Sequence, residues 1–111
     1  VSDLRDLVQK IALHDKIEES RQFAARIQAS LQAASLKANP RSKDRGVRKA
    51  PFVVLIGAQM PSVLAEIGFV TNPKDETLFR KQDYRQSIAE GLYRGLARYV
   101  GTLSQVQVAQ N

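Results

Sequence analysis

Only two stretches of this chain read as β-strand, and that shortage constrains its fold more than any other feature. Pro51-Phe52-Val53-Val54-Leu55-Ile56-Gly57-Ala58 is a continuous apolar run rich in β-branched residues, the pattern of a strand buried on both faces of an α/β sheet. Met60-Pro61 predicts a turn, and Ser62 to Val70 a second strand with a charged residue, Glu66, at its centre. Two strands alone make a poor sheet, because three or more, or good helix cover, are needed for stability. The pattern implies that further strands lie outside this sequence.

The remainder predicts helices. Leu4, Leu7, Val8 and Ile11 fall at helical spacing over residues 2–13,. The phase slips near His14, and Asp15 with Glu18 resembles a capping box opening a second helix that ends near Leu36, ahead of Asn39-Pro40,. Ile17, Ser20, Ala24, Ile27 and Leu31 form its stripe, flanked by charges such as Glu18 and Arg21 that can pair along the helix,. Residues 37–49 form a basic connection broken by Pro40 and Gly46. Asn72-Pro73 supplies an N-cap and a first-position proline for a short helix ending near Lys81, with Asp75 and Glu76 at its positive end,. A last helix is expected from about Asp83 to Val100, burying Tyr84, Ile88, Leu92, Leu96 and Tyr99 or Val100, with Gly101 ending it,. This gives one domain over 1–101 and a disordered tail over 102–111.

Residue counts exclude much chemistry. The absence of cysteine removes disulfides, thiolate metal sites and a cysteine nucleophile,. The one histidine, His14, cannot supply the ligands that catalytic zinc usually takes, commonly two or three of them histidines,. His14 also has no second histidine at helical spacing and reads as a surface or helix-end residue. No apolar run approaches the roughly 18 residues that span a bilayer, and the start at Val1 places any targeting segment upstream,. Of the net charge of +6, the stretch Arg41, Lys43, Arg45, Arg48 and Lys49 against Asp44 carries +4. A basic loop invites an anionic partner, although most such runs are solvated loops. It lacks the interleaved aromatics of a nucleic-acid binder, so no nucleic-acid partner is expected.

Glu66 is the candidate for chemistry. On a strand, Leu64, Glu66 and Gly68 share one face, and Val63, Ala65, Ile67 and Phe69 the other,. A carboxylate there is desolvated unless it borders a cleft, and Gly68 could leave room beside it for a ligand or water. That is the setting of a general base. The competing readings are a structural salt bridge, with an arginine of the last helix as one partner, and an edge strand that leaves Glu66 in water. Phe52 and Phe69 could be sugar platforms but read better as core, and Asn72 as a cap.

The segment Ala50-Pro51-Phe52-Val53-Val54-Leu55, then Met60-Pro61-Ser62-Val63-Leu64-Ala65-Glu66-Ile67-Gly68-Phe69-Val70-Thr71-Asn72-Pro73 with Asp75-Glu76, resembles the C-terminal signature of the zinc-dependent N-acetylmuramoyl-L-alanine amidases. Glu19-Ser20 with Ala24 and Ile27, and Tyr84-Arg85 with Ile88-Ala89 and Gly91, are similar to the long and last helices of that family, so the likeness covers roughly residues 3–100. It implies an α/β fold, helices flanking a mixed sheet, of which this chain supplies about two strands and three to four helices. It further implies zinc held by two histidines and a glutamate upstream of this chain, with no metal ligand or cofactor-binding residue within it. Glu66 matches the family's catalytic glutamate. The implied reaction is hydrolysis of the amide between N-acetylmuramic acid and L-alanine in peptidoglycan, in the periplasm or after secretion.

The implied partners are peptidoglycan, the N-terminal half of the catalytic domain and an activator protein of the kind some relatives use to lift a blocking helix; no membrane span is expected. The chain alone is expected to be inactive. The alternative is a non-catalytic binding or regulatory module derived from the same fold. An unneeded buried carboxylate at Glu66 would count against it.

Overall fold

The computed structural model describes residues 2–49 and 53–110. Three helices dominate: α1 (Ser2–Ala38), α2 (Pro73–Arg80) and α3 (Gln82–Gln110). One helix replaces the two expected over residues 2–36. Nothing between Ser2 and Ala38 is glycine or proline, so the change of apolar phase at His14 alters which face is apolar without breaking the hydrogen-bond ladder. Asp15 is an interior residue of α1, not a cap. At about 1.5 Å per residue such a helix runs roughly 55 Å, and the molecule's longest dimension is 57 Å.

The expected mixed sheet is overturned, since no strand occurs among the described residues. Phe52 and the start of the first predicted strand lie outside them. Val53–Leu55 is instead a single 3-10 turn. Ile56 N–H donates to Val53 O at 3.2 Å and Ala58 N–H to Leu55 O at 3.4 Å, while Lys16 Nζ donates to Leu55 O at 3.3 Å. The second predicted strand, Ser62 to Val70, is not formed: residues 61–69 have no regular secondary structure and Val70 lies in a turn. The physical reason is that β-branched runs favour strand through packing and pairing with neighbours. With no adjacent strand to take its N–H and C=O groups, the first run bonds to itself and to α1.

The core forms where α1 and α3 cross antiparallel. Gly91 faces Ser30, Leu31 and Ala34, Gly95 faces Arg26 and Ile27, and Tyr99 stacks on Phe23 with centroids 4.8 Å apart. Ile27, Leu31, Tyr84 and Ile88 make the buried cluster, joined by Phe23, Val63, Ala65, Leu78, Phe79 and Leu92 at its margins. Burying an Ile or Leu side chain is worth about 1.5–3 kcal/mol, so this small cluster dominates cohesion. The stripe predicted for α3 is buried at Tyr84, Ile88 and Tyr99, but Leu96 is exposed. In the first half of α1, Leu4, Leu7, Val8 and Ile11 are exposed too.

Gly101 does not end α3. Its φ is not positive, so it adopts no left-handed cap, and the helix continues to Gln110. An added Cβ at Gly101 would meet nothing within 4 Å, whereas at Gly95 it would stand 2.8 Å from Ile27 Cα and 3.1 Å from Arg26 O. Opposite outcomes follow from one substitution type. Gly101→Ala is expected to gain about 0.5–1 kcal/mol from helix propensity. Gly95→Ala forfeits that gain to overpacking that costs about 1–3 kcal/mol. Thermal unfolding followed by circular dichroism separates them, and a Gly95→Ala melt above wild type would contradict the close crossing.

A second packing feature gives a further expectation. Among the described residues the buried Tyr99 hydroxyl has no hydrogen-bond partner. Burial, with the negative charge of Glu19 adding to it, holds the phenol above its ordinary range. Tyr99→Phe keeps the ring on Phe23 and removes an unsatisfied polar atom, so stability is expected to rise by about 1 kcal/mol. A lower melting temperature would reveal a partner for that hydroxyl.

Candidate active site

Residues 61–69 lie across the helix pair and are fastened at both ends. Ser62 N–H donates to Ser20 Oγ of α1 at 3.0 Å. At the other end Phe69 N–H donates to the Asp75 carboxylate of α2 at 2.9 Å, and Asn72 N–H closes a turn onto Phe69 O at 3.0 Å. Asn72 then caps α2, accepting from Lys74 N–H at 2.9 Å and Asp75 N–H at 3.2 Å. This is the capping role its sequence implied. Between the fastenings Val63 and Ala65 pack on the core.

Glu66, the expected general base, is exposed and not desolvated. It makes no ion pair or side-chain hydrogen bond with the described residues, so the structural salt bridge to an arginine of α3 is not formed. The predicted alternation holds for Val63 and Ala65 inside and Leu64 and Glu66 outside, then stops. Ile67 and Phe69 are each 45% exposed. Phe69 is therefore not core. Its ring carries the Arg45 guanidinium 5.0 Å from the centroid. The space expected beside Gly68 belongs to Phe79: an added Cβ would stand 2.6 Å from Phe79 Cε2 and 3.4 Å from Asp75 Oδ2. Gly68 serves packing of α2 and not a ligand.

Surface hollows lie elsewhere. One, between the end of α1 and the start of α2, is lined by Ala38, Asn39, Pro73, Lys74, Thr77 and Leu78. Another, on the first half of α1, is lined by Asp6, Gln9, Lys10 and Leu13. Glu66 borders neither. His14 is exposed on α1. Among the described residues no three His, Cys, Asp or Glu side chains come together to hold a metal ion, so these residues do not by themselves fit a zinc site. Ser20 and Asp75, which hold the segment bearing Glu66, were missed as positioning groups. Asp75 could have been found as the third residue after a capping Asn, where its carboxylate faces back toward the incoming chain.

A sequence profile of the N-acetylmuramoyl-L-alanine amidases matches residues 10–98. The chain belongs to the N-acetylmuramoyl-L-alanine amidase family. The resemblance read from residues 50–76 is thereby confirmed, and the span matched to this amidase family contains Glu66, its fastenings and most of the helix pair. The chain is 40% identical over 82 residues to the uncharacterized protein YqiI of Bacillus subtilis. It is 35% identical over 80 residues to the N-acetylmuramoyl-L-alanine amidase LytC of the same organism, and 33% identical over 82 residues to the probable cell wall amidase LytH of Staphylococcus aureus. These alignments cover 74%, 72% and 74% of this chain but 37%, 15% and 26% of the relatives. The chain thus spans well under half the length of these amidase-family relatives. No solved structure matches it.

Proposed function

We propose that this chain is the part of a peptidoglycan amidase that contributes the proton-transferring carboxylate, Glu66. The observation carrying this reading is the family match across residues 10–98, within which Glu66 stands exposed and unpaired on a segment tied to α1 and α2. The bond cleaved is the amide joining N-acetylmuramic acid to L-alanine, and the site of action lies outside the cytoplasmic membrane. Among the described residues no helix is long and apolar enough to cross a membrane.

No described residues of this chain fit a zinc site; a zinc ion held by other residues of the same catalytic domain would supply Lewis-acid activation. Glu66 takes a proton from the attacking water and passes it to the leaving amine, so one carboxylate serves both steps. Glu66 is exposed and borders neither hollow, so in this reading the desolvated setting of a general base depends on the remainder of the domain covering it.

Exposure also removes one argument. A buried, unneeded carboxylate would have counted against a binding or regulatory module, and Glu66 is not buried. The discriminating experiment compares the 111-residue chain with a longer polypeptide containing it and the preceding half of the domain. Release of new L-alanine amino groups from purified peptidoglycan is measured together with zinc content. The longer polypeptide is expected to bind zinc and cleave, and the 111-residue chain to do neither. A longer polypeptide that binds peptidoglycan but never cleaves it, with zinc present, would favour the module.

A further inference from the structure

The basic loop 41–49 is folded rather than loose, and among the described residues none of its cations is neutralised by an ion pair. Asp44, its one carboxylate, is committed: Oδ1 accepts from Gln28 Nε2 of α1 and from Gly46 N–H, both at 2.7 Å. Gln32 Nε2 donates to Ser42 O at 3.2 Å, and Gly46 takes φ +78° to make the bend. Arg45 lies over Phe69, three residues from Glu66. Arg41, Lys43, Arg48 and Lys49 form no ion pair among the described residues; the ion pairs there are Glu18–Arg21, Glu76–Arg80 and Glu90–Arg94.

We infer that this loop is a binding surface for a linear phosphodiester polymer of the cell envelope, running beside the segment that carries Glu66. Five cations spread along nine residues cannot converge on one carboxylate, whereas an anion repeated along a chain meets them in turn. Three of the five are arginines, whose planar fork suits phosphate oxygens. Placement of the polymer in the envelope rests on the amidase reading; the choice of a repeated phosphate does not.

The test uses the 111-residue chain with fluorescently labelled poly(glycerol phosphate), read by polarisation across 50–300 mM salt (roughly the range over which such contacts weaken). Four or five phosphate contacts predict a slope of log affinity against log salt of about −3. Arg41→Gln, Lys43→Gln, Arg48→Gln and Lys49→Gln combined, with Arg45 kept on Phe69, are expected to weaken binding at least tenfold and flatten the slope. A control removing the same charge outside the loop, Arg5→Gln, Lys10→Gln, Lys81→Gln and Arg98→Gln, is expected to stay within about twofold, as surface charges that do not meet the polymer are screened. Equal loss in the control would overturn the inference, as would no binding of the wild type or a tenfold preference for polyglutamate or single-stranded DNA. Glu66→Gln is expected to bind the polymer normally; failure of the amidase reading shows separately, as absent hydrolysis by the unsubstituted longer polypeptide with polymer binding by the 111-residue chain intact.

Discussion

Glu66→Gln, in a polypeptide containing this chain and the rest of its catalytic domain, is expected to lower peptidoglycan amide hydrolysis by roughly 10²–10⁴-fold, the range general acid–base groups supply. Glutamine preserves size and some hydrogen bonding but cannot take a proton from water. Because Glu66 makes no ion pair or side-chain hydrogen bond with the described residues and is exposed, the substitution removes no contact that holds the chain together. Thermal stability and zinc content should match wild type. The assay therefore isolates chemistry from folding: turnover of a tenth of wild type or better would remove Glu66 from the mechanism, and loss of zinc would recast it as a ligand.

Ile88→Ala is expected to have the largest effect on stability, about 2–5 kcal/mol. Ile88 is 4% exposed and sits in the cluster with Ile27, Leu31 and Tyr84. Native domains are stable by only about 5–15 kcal/mol, and this core is small. A fall in melting temperature of 10 °C or more follows, at roughly 4–8 °C per kcal/mol for domains near this size. Leu96→Ala makes the comparison sharp. The helical period places Leu96 on the same stripe, yet it is 44% exposed, so its truncation should cost under about 1 kcal/mol. Equal losses at the two positions would mean that the buried face of α3 is drawn wrongly.

Helix α2 was legible because its signals are local. Asn72 and Pro73 cap and start it through bonds spanning two or three residues, and no distant partner is needed. The face of α3 was legible where Tyr84, Ile88 and Tyr99 meet α1, and illegible at Leu96, because periodicity predicts a side but not how far along the helix a neighbour extends. The sheet was illegible for the opposite reason. Val53 and Leu55 have strand composition, but a strand is a relation between two segments, and no described segment pairs with this one. Glu66 was found by residue type and by resemblance, while its surroundings were not. Burial was inferred from apolar neighbours in sequence, yet Leu64, Ile67 and Phe69 are themselves about half exposed.

The two glycines at the helix crossing also act as a spacer gauge for the segment above them. Val63 and Ala65 rest on side chains from both α1 and α3, so the gap between those helices sets the width of the floor beneath Glu66. A methyl group wedged at position 95 would meet Ile27 and the Arg26 carbonyl of α1 and spread that floor. The width of the platform under Glu66 is thus set partly by two positions that have no side chain at all.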